Sequence, residues 1–283
     1  MALALQNRVA VLTGAASGIG AALAPRLAAK GVHLALVDRN AEGLAKVAAD
    51  SSSFGVQIST HVADLGEASA IAELPAAVEA AHGPASLLIA NAGVALVGTF
   101  EQASLADFEW LMNINFWGPV RLTRAFLPQL RQAPAAQIVL TSSVFGLIGP
   151  PGQTAYAASK FALRGFGEAL RHELAATGIG VTLVHPGGIA TEIARNARIG
   201  AGMDPAAAQA GVSLFQKMLR TSPDTAALRM VAAIEQRRPR LLIGRDALQI
   251  DVIQRLLPAG YWRLMARGQR GLTPLTEAKG AKH

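Results

Sequence analysis

Short apolar runs that alternate with longer amphipathic stretches constrain the fold of this chain more than any other feature of its sequence. The runs expected to form strands are Arg8–Thr13, Val32–Val37, Val56–His61, Leu87–Ala90, Gln137–Thr141, Gly180–Val184 and Leu241–Ile243. The stretches expected to form helices are Gly18–Lys30, Ala41–Ala49, Glu67–Ala81, Ser104–Leu130 and Thr154–Ala176. Strands and helices that alternate along a chain predict βαβ units, and therefore an α/β fold with a doubly wound parallel sheet and helices on both faces. Within the first helix, Pro25 is expected to kink the axis or to remove a hydrogen bond.

The length of 283 residues fits a single domain with an extension, because α/β domains reach ~250 residues as one unit. We expect the domain to cover residues 1–246 and a basic, amphipathic C-terminal extension to cover residues 247–283. The pattern loosens at about 189–219, where Gly200, Gly202 and Pro205 interrupt helical segments. This insert is interpreted either as a mobile substrate lid or as an ordinary helical insert. A composition of 51% hydrophobic and 16% charged residues excludes an intrinsically disordered chain.

Positive charge is concentrated toward the end of the chain, within an overall balance of 26 Lys and Arg against 19 Asp and Glu. A basic tail is most simply a solvated one, although an anionic membrane surface or nucleic acid would also attract it. The segment Ala247–Met265 is amphipathic and is interrupted at Pro258–Gly260, so it is expected to pack on the core, on a partner subunit or on a membrane surface. We expect no nucleic-acid partner, and we keep peripheral membrane contact through the extension as an alternative.

The sequence contains no cysteine, which excludes disulfides and thiolate metal sites, and no metal is expected. The first residues lack a basic stretch followed by a long apolar run, so no signal peptide is expected. No uncharged apolar run approaches the ~18 residues that a membrane span needs. We therefore expect a cytoplasmic protein.

A glycine-rich turn joins the first expected strand to the first expected helix. Its glycines are Gly14, Gly18 and Gly20, with Ser17 and Ile19 beside Gly18. Glycine permits a tight turn and a close approach of the backbone to a pyrophosphate, and the N-terminus of the following helix attracts negative charge. The spacing GxxxGxG differs from the common GxGxxG fingerprint, and a plain βα turn is the alternative. The strand before the turn, the helix after it and an acid downstream together predict a Rossmann-type dinucleotide site.

The acid is Asp38, at the end of the second expected strand. A carboxylate there accepts hydrogen bonds from the adenosine ribose hydroxyls and repels a 2′-phosphate, which favours NAD as the cofactor. The next residue, Arg39, would instead attract that phosphate, so NADP is the alternative. Asp64 follows the third expected strand, and it is either a contact for the adenine edge or a cap of the next helix.

Tyr156 and Lys160 stand four residues apart on an expected helix, and therefore on one face of it. A nearby cation stabilises tyrosinate and lowers the tyrosine pKa from ~10, so such a phenol can exchange a proton with an alcohol oxygen near neutral pH. The pair alone could also arise by chance on a solvated helix face. Ser143 ends the fifth expected strand, at the edge of a parallel sheet where ligands bind. Its hydroxyl could bond a substrate oxygen, unless it is an ordinary turn serine.

These features together resemble the short-chain dehydrogenase/reductase family over roughly Arg8 to Thr191. The similar positions are Thr13–Gly20 (the TGxxxGxG loop), Asn91–Gly93 (the NAG motif), Asn115 within Asn-Phe-Trp-Gly, the Ser143, Tyr156 and Lys160 set, and Pro186, Gly187 and Thr191 at the nicotinamide end. Ala90 departs from the family pattern, since many relatives have a second asparagine there. The insert at 189–219 and the chain beyond Arg240 lie outside the resemblance, so they carry no implication for substrate choice.

The resemblance implies an oxidoreductase that interconverts a secondary alcohol and a ketone by hydride transfer at C4 of nicotinamide. Tyr156 would be the general acid/base, Lys160 would lower its pKa and hold the nicotinamide ribose, and Ser143 would orient the substrate oxygen. Asn115 would carry a water-linked proton relay, and Thr191 with the backbone after Pro186 would hold the carboxamide. The cofactor-binding candidates are Gly14, Ser17, Gly18, Ile19, Gly20, Asp38, Arg39, Asp64, Asn91, Gly93, Tyr156, Lys160, Pro186, Gly187, Ile189 and Thr191.

The residues expected around the substrate are mostly apolar, which predicts a hydrophobic alcohol or carbonyl compound. They are Val94, Leu96, Val144, Phe145, Leu147 and Ile148, together with the segment Ile189–Leu219, and plain core packing is the alternative for each single residue. His185 is expected to be a strand-end histidine rather than a catalytic residue.

Two further expectations concern assembly and rival functions. Family members are often dimers or tetramers built through their two long central helices, and we expect a homodimer or homotetramer. Aromatic residues on those helices fit this expectation, although core burial explains them equally well: Phe116, Trp117, Phe161 and Phe166. The rival functions are a dinucleotide-binding sensor without turnover and a membrane-surface reductase of lipid-like substrates.

Overall fold

A seven-stranded parallel sheet forms the centre of the protein in the computed structural model, which describes residues 2–268 apart from positions 205, 207, 208, 210, 212, 214, 215, 217 and 218. Its strands are β1 (Val9–Thr13), β2 (His33–Asp38), β3 (Ile58–Val62), β4 (Leu87–Ala90), β6 (Ala136–Thr141), β7 (Ile179–Pro186) and β9 (Arg240–Ile243). Two short strands, β5 (Leu96–Val97) and β8 (Arg198–Ile199), pair with each other outside this sheet. The order across the large sheet is β3-β2-β1-β4-β6-β7-β9. The chain therefore starts in the middle, builds outward to β3, and crosses back to β4 to build the other half.

Helices connect these strands and cover the sheet. Their bounds are α1 (Gly18–Ala28), α2 (Ala41–Ser51), α3 (Ala68–His82), α4 (Leu105–Met112), α5 (Gly118–Leu130), α6 (Thr154–Glu173), α7 (Pro223–Glu235), α8 (Arg245–Leu256) and α9 (Tyr261–Gly268). None of the helices within the described ranges is both long and apolar enough to cross a membrane.

Each strand of the sheet divides its side chains between two cores, because successive side chains point to opposite faces. On β1, Ala10 and Leu12 join a core shared with α1 and α7, whereas Val9 and Val11 join a core shared with α3, α5 and α6. Burial of a leucine such as Leu12 stabilises the fold by roughly 2 kcal/mol. The sequence-based prediction of a doubly wound parallel sheet with helices on both faces is confirmed.

The single long helix predicted over Ser104–Leu130 is wrong in its middle. Ser104 does cap the start, because its Oγ accepts a hydrogen bond from the Asp107 amide at 3.1 Å. A π-helical turn at Asn113–Trp117 then separates α4 from α5. Pro119 lacks an amide hydrogen and its ring would press on the carbonyl four residues earlier, which disfavours a continuous α-helical ladder there. The π-helical turn directs the side chain of Asn115 into the protein interior, where it is fully buried.

Other boundaries differ from the predictions by a few residues, and two features were missed. The helix α7 is one of them, although Ser222 caps it and Pro223 stands in its first turn. The pairing of β5 with β8 is the other, since two-residue strands leave no periodic signal. The helix α1 continues through Pro25, so this proline does not end it.

The insert at 189–219 begins beside the sheet. A bridge between Ile189 and Thr221 ties its two ends together, and β8 attaches its centre to β5. Whether it acts as a lid stays a prediction. The extension predicted from residue 247 begins within α8, whose first residue is Arg245.

Candidate active site

A cavity of about 1380 Å³ opens where the chain reverses direction across the sheet, beyond the carboxyl ends of β1 and β4. Such a switch point is where ligands bind in doubly wound folds. Sixteen of the predicted site residues line it: Gly14, Ser17, Gly18, Ile19, Asp38, Arg39, Asp64, Asn91, Gly93, Ser143, Tyr156, Lys160, Pro186, Gly187, Ile189 and Thr191. Gly20 and Asn115 are not among the lining residues.

The glycine-rich turn between β1 and α1 has the backbone that its sequence predicts. Gly14 and Gly18 have φ angles of +65° and +53°, a region that side chains disfavour. A Cβ on Gly14 would also lie 2.7 Å from Ala92 Cα, and one on Gly20 would overlap the Gly14 carbonyl oxygen. Ser17 makes no capping hydrogen bond to α1, so the first amides of this helix are not capped by its side chain. These features fit a pyrophosphate at the helix N-terminus.

Thr13 and Asn91 hold the turn against the neighbouring strand. The Thr13 hydroxyl accepts hydrogen bonds from the amides of Asn91 and Ala92 at 3.1 and 3.2 Å. The Asn91 side chain in turn donates to the Thr13 carbonyl at 3.2 Å. Asn91, just after β4, therefore supports the glycine-rich turn, and the supporting role of the Thr13 hydroxyl was not predicted from the sequence.

The charged residues at the end of β2 and β3 stand on the cavity wall. Asp38 accepts hydrogen bonds from the amides of Ala16 and Asn40 at 3.1 and 3.0 Å, so its carboxylate is fixed beside the glycine-rich turn. Arg39 is exposed and forms no ion pair with any residue in the described ranges. Asp64 accepts from the Gly66 amide at 2.8 Å and closes a turn before α3. Asp64 therefore does not cap α3, whose N-cap residue is Glu67, and its contact with the adenine edge stays a prediction.

Ser143, Tyr156 and Lys160 meet at the other end of the cavity. The phenol of Tyr156 shares a hydrogen bond with Ser143, and its ring stands perpendicular to that of Phe145 at 6.0 Å. The Lys160 ammonium lies 5.6 Å from the centre of the Tyr156 ring and donates to the Thr141 carbonyl at 3.1 Å. The ammonium group has room because Gly93 lacks a side chain: a Cβ there would lie 3.2 Å from Lys160 Nζ.

Burial is the main influence on the proton affinity of Tyr156 and of Lys160. It raises the pKa of Tyr156 to about 12, and the hydrogen bond with Ser143 opposes this only in part. It lowers the pKa of Lys160 to about 8. The expectation that Lys160 lowers the pKa of Tyr156 stays a prediction, and removal of the phenol from water outweighs the opposing hydrogen bond with Ser143.

Asn115 supports the cavity wall from inside the core. Its amide accepts from the Val94 nitrogen and donates to the Val94 carbonyl, both at 2.9 Å, and it also donates to Ser159 Oγ at 3.3 Å. Asn115 thus clamps the backbone next to Gly93. The water-linked proton relay implied by the resemblance stays a prediction.

His185 is buried beneath the site and lies off the cavity wall. Its Nδ1–H donates to the Ser143 carbonyl at 3.0 Å, and Nε2 has no partner among the described residues. Burial lowers the pKa of His185 to about 4. A neutral histidine in this position holds the backbone of Ser143, which agrees with the expected structural role.

The substrate end of the cavity is apolar, with one correction to its predicted lining. Val94, Val144, Phe145 and Ile148 line it, whereas Leu96 and Leu147 are almost completely buried in the protein core. The C-terminal helices supply residues that the sequence did not assign to the site: Gln249, Ile250, Trp262, Met265 and Ala266. The amphipathic pattern of Ala247–Met265 was the available signal, but it does not say which surface the apolar face covers.

Comparison with known proteins gives consistent similarities. A family model described as short chain dehydrogenase matches residues 8–201. SadH of Mycobacterium tuberculosis is 41% identical over 266 residues, which cover 93% of this chain and 95% of SadH. Dehydrogenase/reductase SDR family member 7B of Xenopus tropicalis is 33% identical over 271 residues, which cover 93% of this chain and 85% of that protein.

Two solved structures are similar in fold as well. A short-chain dehydrogenase/reductase from Burkholderia phymatum, in complex with NAD, has a TM-score of 0.83 and 29% identity, with 90% of this chain and 95% of that chain covered. A metagenomic short-chain oxidoreductase in complex with NADP has a TM-score of 0.69 and 29% identity, with 85% of this chain and 98% of that chain covered.

Proposed function

The chain belongs to the short-chain dehydrogenase/reductase family of oxidoreductases, and from this premise we propose that it interconverts a secondary alcohol and a ketone with a nicotinamide dinucleotide. The observation that carries the proposal is the meeting of Ser143, Tyr156 and Lys160 at the apolar end of a cavity whose other end is the glycine-rich turn. A dinucleotide sensor without turnover would not need these three polar groups together.

The proposed chemistry assigns one task to each side chain. The bound nicotinamide would supply or accept the hydride. Tyr156 would exchange a proton with the substrate oxygen, and its phenol is protonated at neutral pH because burial raises its pKa to about 12. Ser143 would donate a hydrogen bond to the same oxygen. Lys160, once turned from the Thr141 carbonyl toward the ring, would stabilise tyrosinate during alcohol oxidation.

We propose NAD as the preferred cofactor, with NADP as the alternative. Asp38 supports NAD, since its fixed carboxylate would repel a 2′-phosphate. Arg39 supports NADP, since it is exposed on the wall without an ion pair among the described residues. Similar structures hold either cofactor.

Titration with NADH and NADPH tests this assignment, with energy transfer from the tryptophans as the signal; Trp262 lies on the cavity wall. We expect tighter binding of NADH. Asp38→Asn should reduce the ratio of NADH affinity to NADPH affinity. Arg39→Ala should lower the affinity for NADPH and leave the affinity for NADH unchanged. Tighter binding of NADPH by the unaltered protein would reverse the assignment.

A screen of hydrophobic secondary alcohols and ketones with the preferred cofactor tests the reaction itself. The apolar lining of Val94, Phe145 and Ile148 favours such substrates over polar ones. Cofactor binding with no turnover across a broad panel would favour the sensor. Binding of neither cofactor by folded protein would refute the proposal.

We also propose a homodimer or homotetramer built through α5 and α6. Trp117 is 48% exposed and Phe161 is 40% exposed, as interface residues of a single chain would be. Phe116 and Phe166 pack against the core and against each other, so they support the fold instead. Trp117→Arg should shift the sedimentation coefficient of the assembly toward that of the monomer.

A second functional proposal is peripheral membrane contact by a protein that is otherwise cytoplasmic. On α8, Leu248, Val252 and Leu256 repeat every four residues on one face and are 49%, 54% and 74% exposed. The same two helices carry the exposed residues Arg255, which is paired with Asp251, and Arg263. Other residues of α8 and α9 line the cavity, so the helices that would contact the lipid surface also border the site.

Co-sedimentation with vesicles tests this contact. The full chain should bind vesicles that contain phosphatidylserine more than neutral vesicles. Simultaneous Leu248→Gln, Val252→Gln and Leu256→Gln should remove the binding. The matched control is Phe100→Gln with Leu105→Gln, which changes exposed apolar residues far from α8 in the sequence and should leave binding intact. Absence of binding to either vesicle would refute the contact.

A further inference from the structure

The loop that follows β7 is held by hydrogen bonds to three other segments. The Gly187 amide donates to the Ile243 carbonyl at 2.8 Å. The Gly188 carbonyl accepts from the amides of Arg220 and Thr221, both at 3.0 Å. The Gly188 amide donates to Asp246 Oδ2 at 2.7 Å. Asp246 is therefore the side chain that completes the fixation of this loop.

Local structure brings Asp246 to the loop. The strand β9 pairs with β7 so that Ile243 stands opposite Pro186. Gly244 follows with a φ of +106°, which turns the chain sharply into α8. Asp246 lies in the first turn of α8, where the helix dipole favours a carboxylate. A Cβ on Gly187 would overlap this carboxylate, so the close approach requires glycine.

Asp246 differs from the other carboxylate on the same helix. Asp251 is paired with Arg240 and Arg255 at 2.5 and 3.1 Å. Asp246 has no cationic side chain within ion-pair distance in the described ranges, and it lines the cavity. Its carboxylate therefore accepts a hydrogen bond from the backbone of the loop after β7 and forms no ion pair with the described residues.

The next amide along the chain is that of Ile189. Ile189 lines the cavity, and its amide has no hydrogen-bond acceptor among the residues that the structure describes. A nearly buried amide in such a position favours an external acceptor, since an unpaired donor costs free energy. A carboxamide oxygen is an acceptor of suitable chemistry.

We propose that Asp246 is a positioning residue for the nicotinamide end of the site. By holding the Gly187–Gly188 peptide, its carboxylate keeps the Ile189 amide available to the carboxamide of the cofactor. This inference rests on the proposed function and adds to it a residue beyond the residues 8–201 that the family model matches. The C-terminal helix α8 thereby takes part in binding the cofactor as well as in shaping the substrate end.

The test compares two ligands that share every group except nicotinamide. NADH and ADP-ribose are titrated into the full-length protein by calorimetry. Asp246→Ala should lower the affinity for NADH by about tenfold, because a charged hydrogen bond to the loop is lost. The affinity for ADP-ribose should stay unchanged. Asp246→Asn keeps a side-chain oxygen as acceptor and should restore most of the NADH affinity. Asp251→Ala, the matched control on the same helix, should leave the ratio of the two affinities unchanged.

The outcomes separate this inference from the proposed function. Equal losses of NADH and ADP-ribose, or no loss of either, in Asp246→Ala would overturn the positioning role while leaving the oxidoreductase intact. A wild-type protein that binds neither ligand would refute the proposed function, and the positioning role with it. If Asp246→Ala does not fold, Gly187→Ala decides instead, since its methyl group would push the carboxylate away and should produce the same selective loss of NADH.

Discussion

Lys160 donates a hydrogen bond from its ammonium nitrogen to the carbonyl oxygen of Thr141, across 3.1 Å. The adjacent Ser142 hydroxyl donates to the Lys160 carbonyl at 2.9 Å. Two bonds in opposite directions thus join the end of β6 to α6. The position of the ammonium relative to the Tyr156 ring is therefore set by contact between a strand and a helix, beyond the four-residue spacing on the helix alone.

Replacement of Tyr156 by phenylalanine should abolish turnover and preserve cofactor binding. The ring would still pack against Phe145, but no group would remain to exchange the proton, so we expect a loss in kcat of about 1000-fold or more. The matched control is Tyr261→Phe, which makes the same change at the other tyrosine, on α9, and removes only its bond from the Gly149 amide. Near-normal activity of Tyr156→Phe would contradict the assigned acid/base.

Replacement of Lys160 by methionine should stabilise the cofactor-free protein while removing activity. The Lys160 pKa falls from 10.5 in the unfolded chain to about 8 in the folded protein. At neutral pH this difference destabilises the folded protein by about 3 kcal/mol, because the buried ammonium is charged. Loss of the bond to Thr141 offsets about 1 to 2 kcal/mol of this. Thermal unfolding at neutral pH should therefore show a raised Tm for Lys160→Met.

The pH dependence of that difference has a definite sign. Between pH 8 and 10.5 the unfolded lysine keeps a proton that the folded one has released, so wild-type stability rises with pH in this window. The difference in free energy of unfolding between Lys160→Met and the wild-type protein should therefore shrink across this pH window. A gap that does not change up to pH 10.5 would show that burial of the charge is not its cause.

Replacement of Asn115 by alanine should destabilise the protein by about 2 to 4 kcal/mol, since both backbone groups of Val94 lose their partner in the core. Urea unfolding measures this loss. Asn113→Ala, in the same π-helical turn but bonded to Gly66 and Arg121 in a less buried position, should cost less. Equal effects of the two variants would contradict the clamp at Val94.

His185 should make the protein sensitive to acid. Its folded pKa of about 4 lies below the ordinary 6.5, so the unfolded state takes up a proton first as the pH falls. Stability should fall between pH 6.5 and 4, and this part of the fall should be absent in His185→Asn, whose amide can still donate to the Ser143 carbonyl. Parallel stability curves for the two proteins across that window would contradict the prediction.

Much of the fold and the cofactor end of the site could be predicted from the sequence because these features depend on local periodicity and local backbone geometry. The βαβ pattern determined the parallel sheet, and the spacing of Gly14, Gly18 and Gly20 determined a turn that only glycine adopts easily. The Tyr156 and Lys160 pair followed from helical periodicity. The predicted helix over Ser104–Leu130 failed at Asn113–Trp117, since the widened turn depends on tertiary contacts of Asn115 as well as on Pro119.

By itself, the sequence determined which residues carry hydroxyl, phenol, ammonium and carboxylate groups, and at which ends of strands they stand. Only the tertiary structure decided how far each group is removed from water, and therefore that burial raises the pKa of Tyr156 while it lowers that of Lys160. It also decided which distant segments meet, such as Asp246 with Gly188 and Trp262 with the cavity. Burial and long-range contact are properties of the packed chain as a whole, and no local pattern of residues encodes them.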